Sequence, residues 1–306
     1  MRVYLKMSYH RNSKVKQFLI RYIFWPIEAI LLFFVLLILR IIPIDIASSS
    51  TGWLGSKIGP LTSWHKRARA NLSLAIPELS ENEHNQILSA MWWNLGRNIG
   101  EFSHTLSLMN SSKRVQIEGL EKISGCEEGS IIIGAHQANW EVIPTILKRL
   151  NRKSGIVYRP LNNPLANFLI QKRQKYLNAN FFQKGRKAAS GMLSTIQENG
   201  VIAILIDQQL REGRMVPFFG IHAKTPIAHI KIASKLQIKL FPVETIRTKG
   251  AYYKIIVHEP VTVKKAATDE EILAVAKHIN ELVEDWIKKH PDQWLWPHRR
   301  WGSINV

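Results

Sequence analysis

Ser130-Ile-Ile-Ile-Gly-Ala-His-Gln-Ala-Asn-Trp-Glu141 is the stretch from which the fold is read. A short run of β-branched apolar residues stops at Gly134 and then presents a histidine and a carboxylate. A compact apolar run bounded by turn residues is the pattern of a strand covered on both faces. Open α/β sheets bind ligands at the carboxyl ends of such strands. On one continuous helix His136 and Glu141 would diverge by more than a third of a turn, so they meet only across a strand-to-helix junction. Asn139 can cap the next helix there. Pro144 lies too far in for a helix begun at Asn139 to run unbroken, so that helix starts near Ile143 or kinks.

A histidine paired with a carboxylate suits activation of an alcohol. The imidazole takes the hydroxyl proton as attack begins, an effect worth ~10²–10⁴ in rate. The carboxylate holds the other ring nitrogen and fixes the tautomer. Taken alone, His-x-x-x-x-Glu is equally the pattern of a satisfied strand-end histidine beside an exposed glutamate.

Working outward, apolar runs at 154–158 and 201–206 end at Arg159 and Asp207. Helical patterns near 145–151, 163–177 and 187–199 separate them, the second opening on Asn163-Pro164. Strands alternating with helices specify a parallel-rich α/β sheet, which collects His136, Arg159 and Asp207 at one edge. Further strands are predicted at 115–118, 179–183, 239–245 and 252–257, a helix at 226–236, and an apolar loop at 215–220 over the edge. Ser80-Glu-Asn-Glu83 and Thr268-Asp-Glu-Glu271 are capping boxes, opening a long amphipathic helix from 81 to about 106 and another that stops before Pro291. The tail 293–301 mixes three tryptophans with Arg299 and Arg300, which fits a membrane interface, an entrance for an apolar chain or a packed lid.

The formal charge of +19 over 306 residues provides a strong field for anionic partners. No zinc-finger, RNP or homeodomain pattern is present, and basic residues interleave with bulky apolar ones near the amino terminus. The partner implied is an anionic membrane surface rather than nucleic acid. The single Cys126 excludes an intramolecular disulfide framework. No histidine has metal-ligand spacing, so neither a metal nor another cofactor is indicated.

The chain divides into a basic arm over 1–22, an apolar anchor over 23–46 and a catalytic domain over 47–306. The uncharged stretch of the anchor, 29–39, is shorter than the ~20 residues of a clean span. Positive charge on both sides favours a re-entrant or monotopic anchor, with spanning left open and the domain on the cytoplasmic side.

Residues 134–141 resemble the His-x-x-x-x-Asp/Glu block of the glycerolipid acyltransferase superfamily. They are especially similar to that of the late lipid A acyltransferases, the lauroyl and myristoyl transferases of Gram-negative bacteria. Val157-Tyr-Arg-Pro160, Gly185-Arg-Lys187, Ile206-Asp-Gln-Gln209, Val216-Pro-Phe-Phe-Gly220 and Trp296-Pro-His-Arg-Arg-Trp301 follow in the family's order. The family's Asp-Gln-Asp reads Asp207-Gln208-Gln209, so this chain lacks the third-position carboxylate.

The resemblance implies an α/β fold with a mixed, parallel-rich sheet flanked by helices and an N-terminal membrane helix. It implies His136 as general base, Glu141 as its orienter, Arg159 on an acceptor phosphate or oxyanion, Asp207 in support, and Asn139 and Arg186 at the substrate. Acyl carrier protein is the implied donor, docking on Lys172, Arg173 and Lys175. A lipid A precursor is the implied acceptor, at the cytoplasmic face of the inner membrane. Acylation of a glycerophospholipid, or binding of anionic membrane without catalysis, are the rival readings.

Overall fold

The computed structural model describes residues 14–171, 179–183 and 186–302. Helix α1 (Lys14–Leu19) runs through a π turn (Ile20–Phe24) into α2 (Trp25–Ile41). From Lys16 to Ile41 this is 26 residues of helix, mostly exposed. At 1.5 Å per residue that is about 39 Å, long enough and apolar enough to cross a bilayer. The helix draws this length from the charged flanks on both sides of the uncharged stretch 29–39. Pro43 ends it, and α3 (Ile44–Ile58), α4 (Ser63–Ala75), α5 (Glu81–Phe102) and α6 (Thr105–Asn110) follow.

The long helix expected to reach 106 breaks at Ser103 and His104. Their side chains there bond the carbonyls of Leu36 and Leu39 at 2.9 and 2.7 Å. Helices α3 and α5 pack nearly backbone to backbone. A Cβ on Gly96 would lie 2.3 Å from the Thr51 carbonyl oxygen, and one on Gly55 would lie 2.6 Å from that of Trp92.

Next come β1 (Val115–Glu118), α7 (Leu120–Ser124), β2 (Ser130–Gly134), α8 (Pro144–Leu150), β3 (Ser154–Tyr158), α9 (Pro164–Gln171), β4 (Ala179–Gln183), α10 (Arg186–Gln197) and β5 (Val201–Leu205). The chain continues through β6 (Arg214–Phe218), β7 (Ile221–Thr225), α11 (Ala228–Leu236), β8 (Lys239–Lys249), β9 (Tyr252–Val257) and α12 (Asp269–Lys289). Seven strands form one sheet in the order β1-β9-β8-β2-β5-β3-β4. Only the β8–β9 pair is antiparallel.

Strand β2 is central and buried throughout, since helices cover both faces. Ile131 and Ile133 pack into one core with α4, α5, α11 and α12, and Ile132 into a second core with α6, α7 and α8. Two-sided burial is why the run is continuously apolar; each isoleucine contributes about 1.5–3 kcal/mol.

The loop expected at 215–220 is instead the hairpin β6–β7, closed by Phe219 and Gly220 at φ 53° and 71°. Strand β8 exceeds its expected range because β9 pairs with it as far as Lys249.

Replacing Gly96 by Ala should destabilise the α3–α5 contact by about 1–3 kcal/mol, because the new methyl meets backbone that cannot turn aside. Thermal unfolding of the detergent-solubilised protein measures it, and an unchanged midpoint would show that the helices can part at no cost.

Candidate active site

The site lies where three parallel strands end together. Gly134 of β2 registers with Leu205 of β5, and β3 pairs with β5 on its far side. His136, Asp207 and Arg159 therefore follow the ends of adjacent strands, at the sheet edge read from sequence.

Asp207 is buried and accepts three hydrogen bonds. The His136 backbone N–H and ring Nδ1–H donate to it at 2.9 and 2.7 Å, and the Trp294 indole donates at 2.8 Å. Burial pushes the carboxyl pKa up, but the His136 charge and these hydrogen bonds outweigh it and hold it well below the usual carboxylate range. With Nδ1 donating to Asp207, Nε2 is the ring's basic nitrogen. The Gln208 amide lies 3.0 Å from it, and the Trp140 ring packs at 5.1 Å.

The ring partner expected to be Glu141 is thus Asp207. The sequence places Glu141 nearer, on a short 3-10 turn (Trp140–Val142), but the β2–β5 register delivers Asp207 to the ring nitrogen. Glu141 is half-buried on that turn, its backbone N–H bonded to the Asn139 side chain at 3.1 Å.

Asn139, expected at the substrate, is buried, and its amide donates to Glu101 at 2.8 Å. It does cap the following turn, and the next helix opens at Pro144. Arg159 is exposed at the edge. The loop beyond it is pinned by Asn163, which caps α9 and donates to the Trp25 carbonyl and the Glu28 carboxylate at 2.9 and 3.1 Å. Arg186 opens α10, but its side chain lies outside the described residues, as do Lys172, Arg173 and Lys175. Among the described residues no group of three or more His, Cys, Asp or Glu could hold a metal ion.

The tail is the largest addition to the expected site. Residues 293–295 run antiparallel to 136–138, joined by Ala138 N–H to Gln293 at 2.8 Å and Leu295 N–H to His136 at 3.1 Å. Trp294, Trp296 and Arg300 are fully buried. Arg300 stacks on Phe218 and bonds the Thr225 hydroxyl at 2.8 Å. Of the three sequence readings the structure holds the packed lid, with Trp294 reaching the Asp207 carboxylate. A run of tryptophans beside arginines was the signal, but nothing in it specified Asp207 as the target.

A parallel-rich α/β sheet thus presents, at one edge, a histidine whose tautomer is fixed by a buried carboxylate, an arrangement able to take a proton. The bacterial lipid A biosynthesis acyltransferase family model matches residues 13–303, so the chain belongs to that family and is an O-acyltransferase. It is 28% identical to a lipid A biosynthesis acyltransferase of Haemophilus influenzae over 82% of each chain. It is 25% identical to the lipid A biosynthesis palmitoleoyltransferase of Escherichia coli, over 83% of this chain and 85% of the other. Among solved structures, the 1-acyl-sn-glycerophosphate acyltransferase of Thermotoga maritima matches with a TM-score of 0.38 at 15% identity, over 89% of this chain and 99% of that one.

Asp207→Asn turns an NH2 group toward the His136 ring donor, or toward the two donors on the other oxygen, and should lower kcat by about 10²–10⁴, whereas Glu141→Gln leaves the ring contact intact. Steady-state acyl transfer by both variants checks this. Full activity of Asp207→Asn would return the orienting role to Glu141.

His298 accepts the Gln209 backbone N–H at 3.0 Å. Burial, aided by His136, Arg300 and Arg67 and opposed by Asp207, pushes its pKa down to about 4. The unfolded chain therefore binds this proton first, and the stability due to neutral His298 is present above about pH 6.5 and lost as pH falls toward 4. His229, buried and also near 4, acts in the same window. The thermal midpoint should fall from pH 6.5 to 4, less steeply in His298→Asn, whose amide oxygen can still take the Gln209 N–H. Equal slopes would remove His298 from the account.

Proposed function

We propose that the protein transfers a fatty acyl chain from acyl carrier protein to a hydroxyl of a lipid A precursor, late in lipid A assembly at the cytoplasmic face of the inner membrane. The observation that carries this reading is the buried Asp207 holding Nδ1–H of His136, which leaves Nε2 basic at the sheet edge. Nε2 takes the acceptor hydroxyl's proton, displacing the Gln208 amide. The oxygen attacks the thioester carbonyl carbon and forms a tetrahedral oxyanion. As that collapses, the carbon–sulfur bond breaks and the His136 imidazolium returns the proton to the leaving thiolate, so the ring ends as it began.

Arg159 serves an acceptor phosphate or the oxyanion, being the exposed cation at the end of β3, beside β5. Arg186 contacts substrate by the same reading, and Lys172, Arg173 and Lys175 receive the acidic carrier.

Membrane residence is supported by the Lys16–Ile41 helix and by a second exposed apolar face. Ile46, Trp53, Leu54, Ile58, Leu61 and Trp64 are all exposed along α3, the turn after it and the start of α4, beside Lys57 and Lys66. Tryptophan and lysine flanking an apolar surface suit the headgroup layer. In this arrangement residues 1–22 are a basic arm, 23–46 the anchor and 47–306 the catalytic domain. The Asn163 bonds to Trp25 and Glu28 keep the Arg159 loop against the anchor, where a lipid acceptor arrives.

The purified protein should acylate a lipid A precursor with acyl carrier protein thioester as donor, and mass spectrometry should find one added acyl chain. His136→Ala should abolish transfer while remaining folded. Equal use of a coenzyme A thioester would overturn the donor assignment, and transfer by His136→Ala near the parent rate would overturn the base.

A further inference from the structure

A second buried cluster stands behind the turn that follows β2. At its centre is Glu101, near the end of α5 and fully buried. Its carboxylate accepts on both oxygens. Oε1 takes the Ser48 hydroxyl of α3 at 2.6 Å and the Arg247 guanidinium of β8. Oε2 takes the Asn139 amide at 2.8 Å and the Tyr253 hydroxyl of β9. Burial, together with the Glu101 charge and hydrogen bond, holds the Tyr253 pKa well above the usual phenol value, so Tyr253 stays a donor.

Arg247 fixes the cluster to α5 again, with Nε and NH2 donating to the Asn94 and Asn98 side chains, each at 2.6 Å. The Asn98 amide in turn donates to the Ala138 carbonyl at 2.6 Å. Ala138 sits at φ 49°, a left-handed conformation that costs a non-glycine residue of order 1 kcal/mol and persists only where its surroundings hold it. Both residues between Gln137 and Trp140 are thus gripped from behind. Ala138 is held by Asn98, and Asn139 by Glu101 on its amide while its own oxygen caps Glu141.

We infer that Glu101, acting through Asn139, is a positioning residue of the acyltransferase, holding the turn that carries His136 and Glu141 in register with Asp207. This rests on the catalytic reading of His136 above. A buried ion pair is a weak source of net stability, because well-packed apolar residues often contribute as much, so its place behind the turn points to orientation.

The bond has a polarity that can be reversed. In Glu101→Gln the amide oxygen can keep Ser48 and Arg247, but its NH2 then faces the Asn139 NH2. In Asn139→Asp the new carboxylate faces Glu101. When both substitutions are combined, the amide introduced on α5 donates to the carboxylate introduced in the turn. The other oxygen of that carboxylate still caps the Glu141 N–H, and the Tyr253 hydroxyl can turn to accept.

Each single variant of the full-length enzyme should lose roughly 10- to 100-fold in kcat, with KM for both substrates little changed, as expected for a displaced base. The double variant should recover most of the loss. Asn139→Ser, which keeps an acceptor for Glu141 and gives up Glu101, should behave as the single variants do and covers the case in which Glu101→Gln does not fold. A readout without turnover is the His136 Nδ1–H proton resonance, which should shift in the single variants and return in the double. Single variants with parental kcat and an unmoved resonance, or a double variant no better than the worse single, would overturn the inference. If the parent itself transfers no acyl chain, the catalytic reading fails, and the resonance still decides whether Glu101 positions the turn.

Discussion

Everything at the sheet edge depends on one carboxylate being kept charged inside the protein. Asp207 is out of contact with water, where an unpaired carboxylate is costly by several kcal/mol. Three donors from two distant parts of the chain meet it. The same hydrogen bonds that stabilise its charge select the histidine tautomer, align the end of β2 with that of β5 and seat the tail. Stability and reactivity of this edge are therefore one set of interactions, and no member can change alone.

Much of the scaffold was legible in the sequence because its causes are local. A strand covered on both faces must be apolar at every position, so 130–134 and 201–205 announced themselves, and capping boxes fixed two helix starts to the residue. The hairpin at 214–225 was missed because its Pro217 and Gly220 look like a loop when no partner strand is in view. At the site the sequence supplied His136 and the edge. It favoured Glu141 over Asp207 because nearness along the chain is visible and strand register is not. Glu101 was invisible for a related reason. A glutamate at the end of an amphipathic helix reads as solvated, and only the packing of α3 and β9 over it makes it a buried acceptor of four donors.

The amino-terminal helices belong to the same mechanical unit. Backbone of α3 lies against backbone of α5 through glycines, and α5 carries Glu101, Asn94 and Asn98 to the rear of the turn after β2. The apolar helix is bonded to Ser103, His104 and the Asn163 loop. The orientation of the sheet edge relative to that helix is consequently fixed by hydrogen bonds rather than left to a linker.

The central position of β2 sets the order in which a ribosome can complete this protein. Its neighbours β5 and β8 begin at residues 201 and 239. Three consecutive isoleucines with two unpaired strand edges therefore wait through the synthesis of about a hundred further residues, at roughly 5–20 residues per second. Parallel pairing over such separations is slow to form, and an apolar strand held open in the meantime invites association with other chains. Helices α2 to α5 are complete before β2 emerges, so the nascent chain can already be held at a bilayer when its most aggregation-prone segment appears. Early tethering would keep neighbouring unfinished chains apart, a benefit to biogenesis quite separate from bringing the finished enzyme to a lipid.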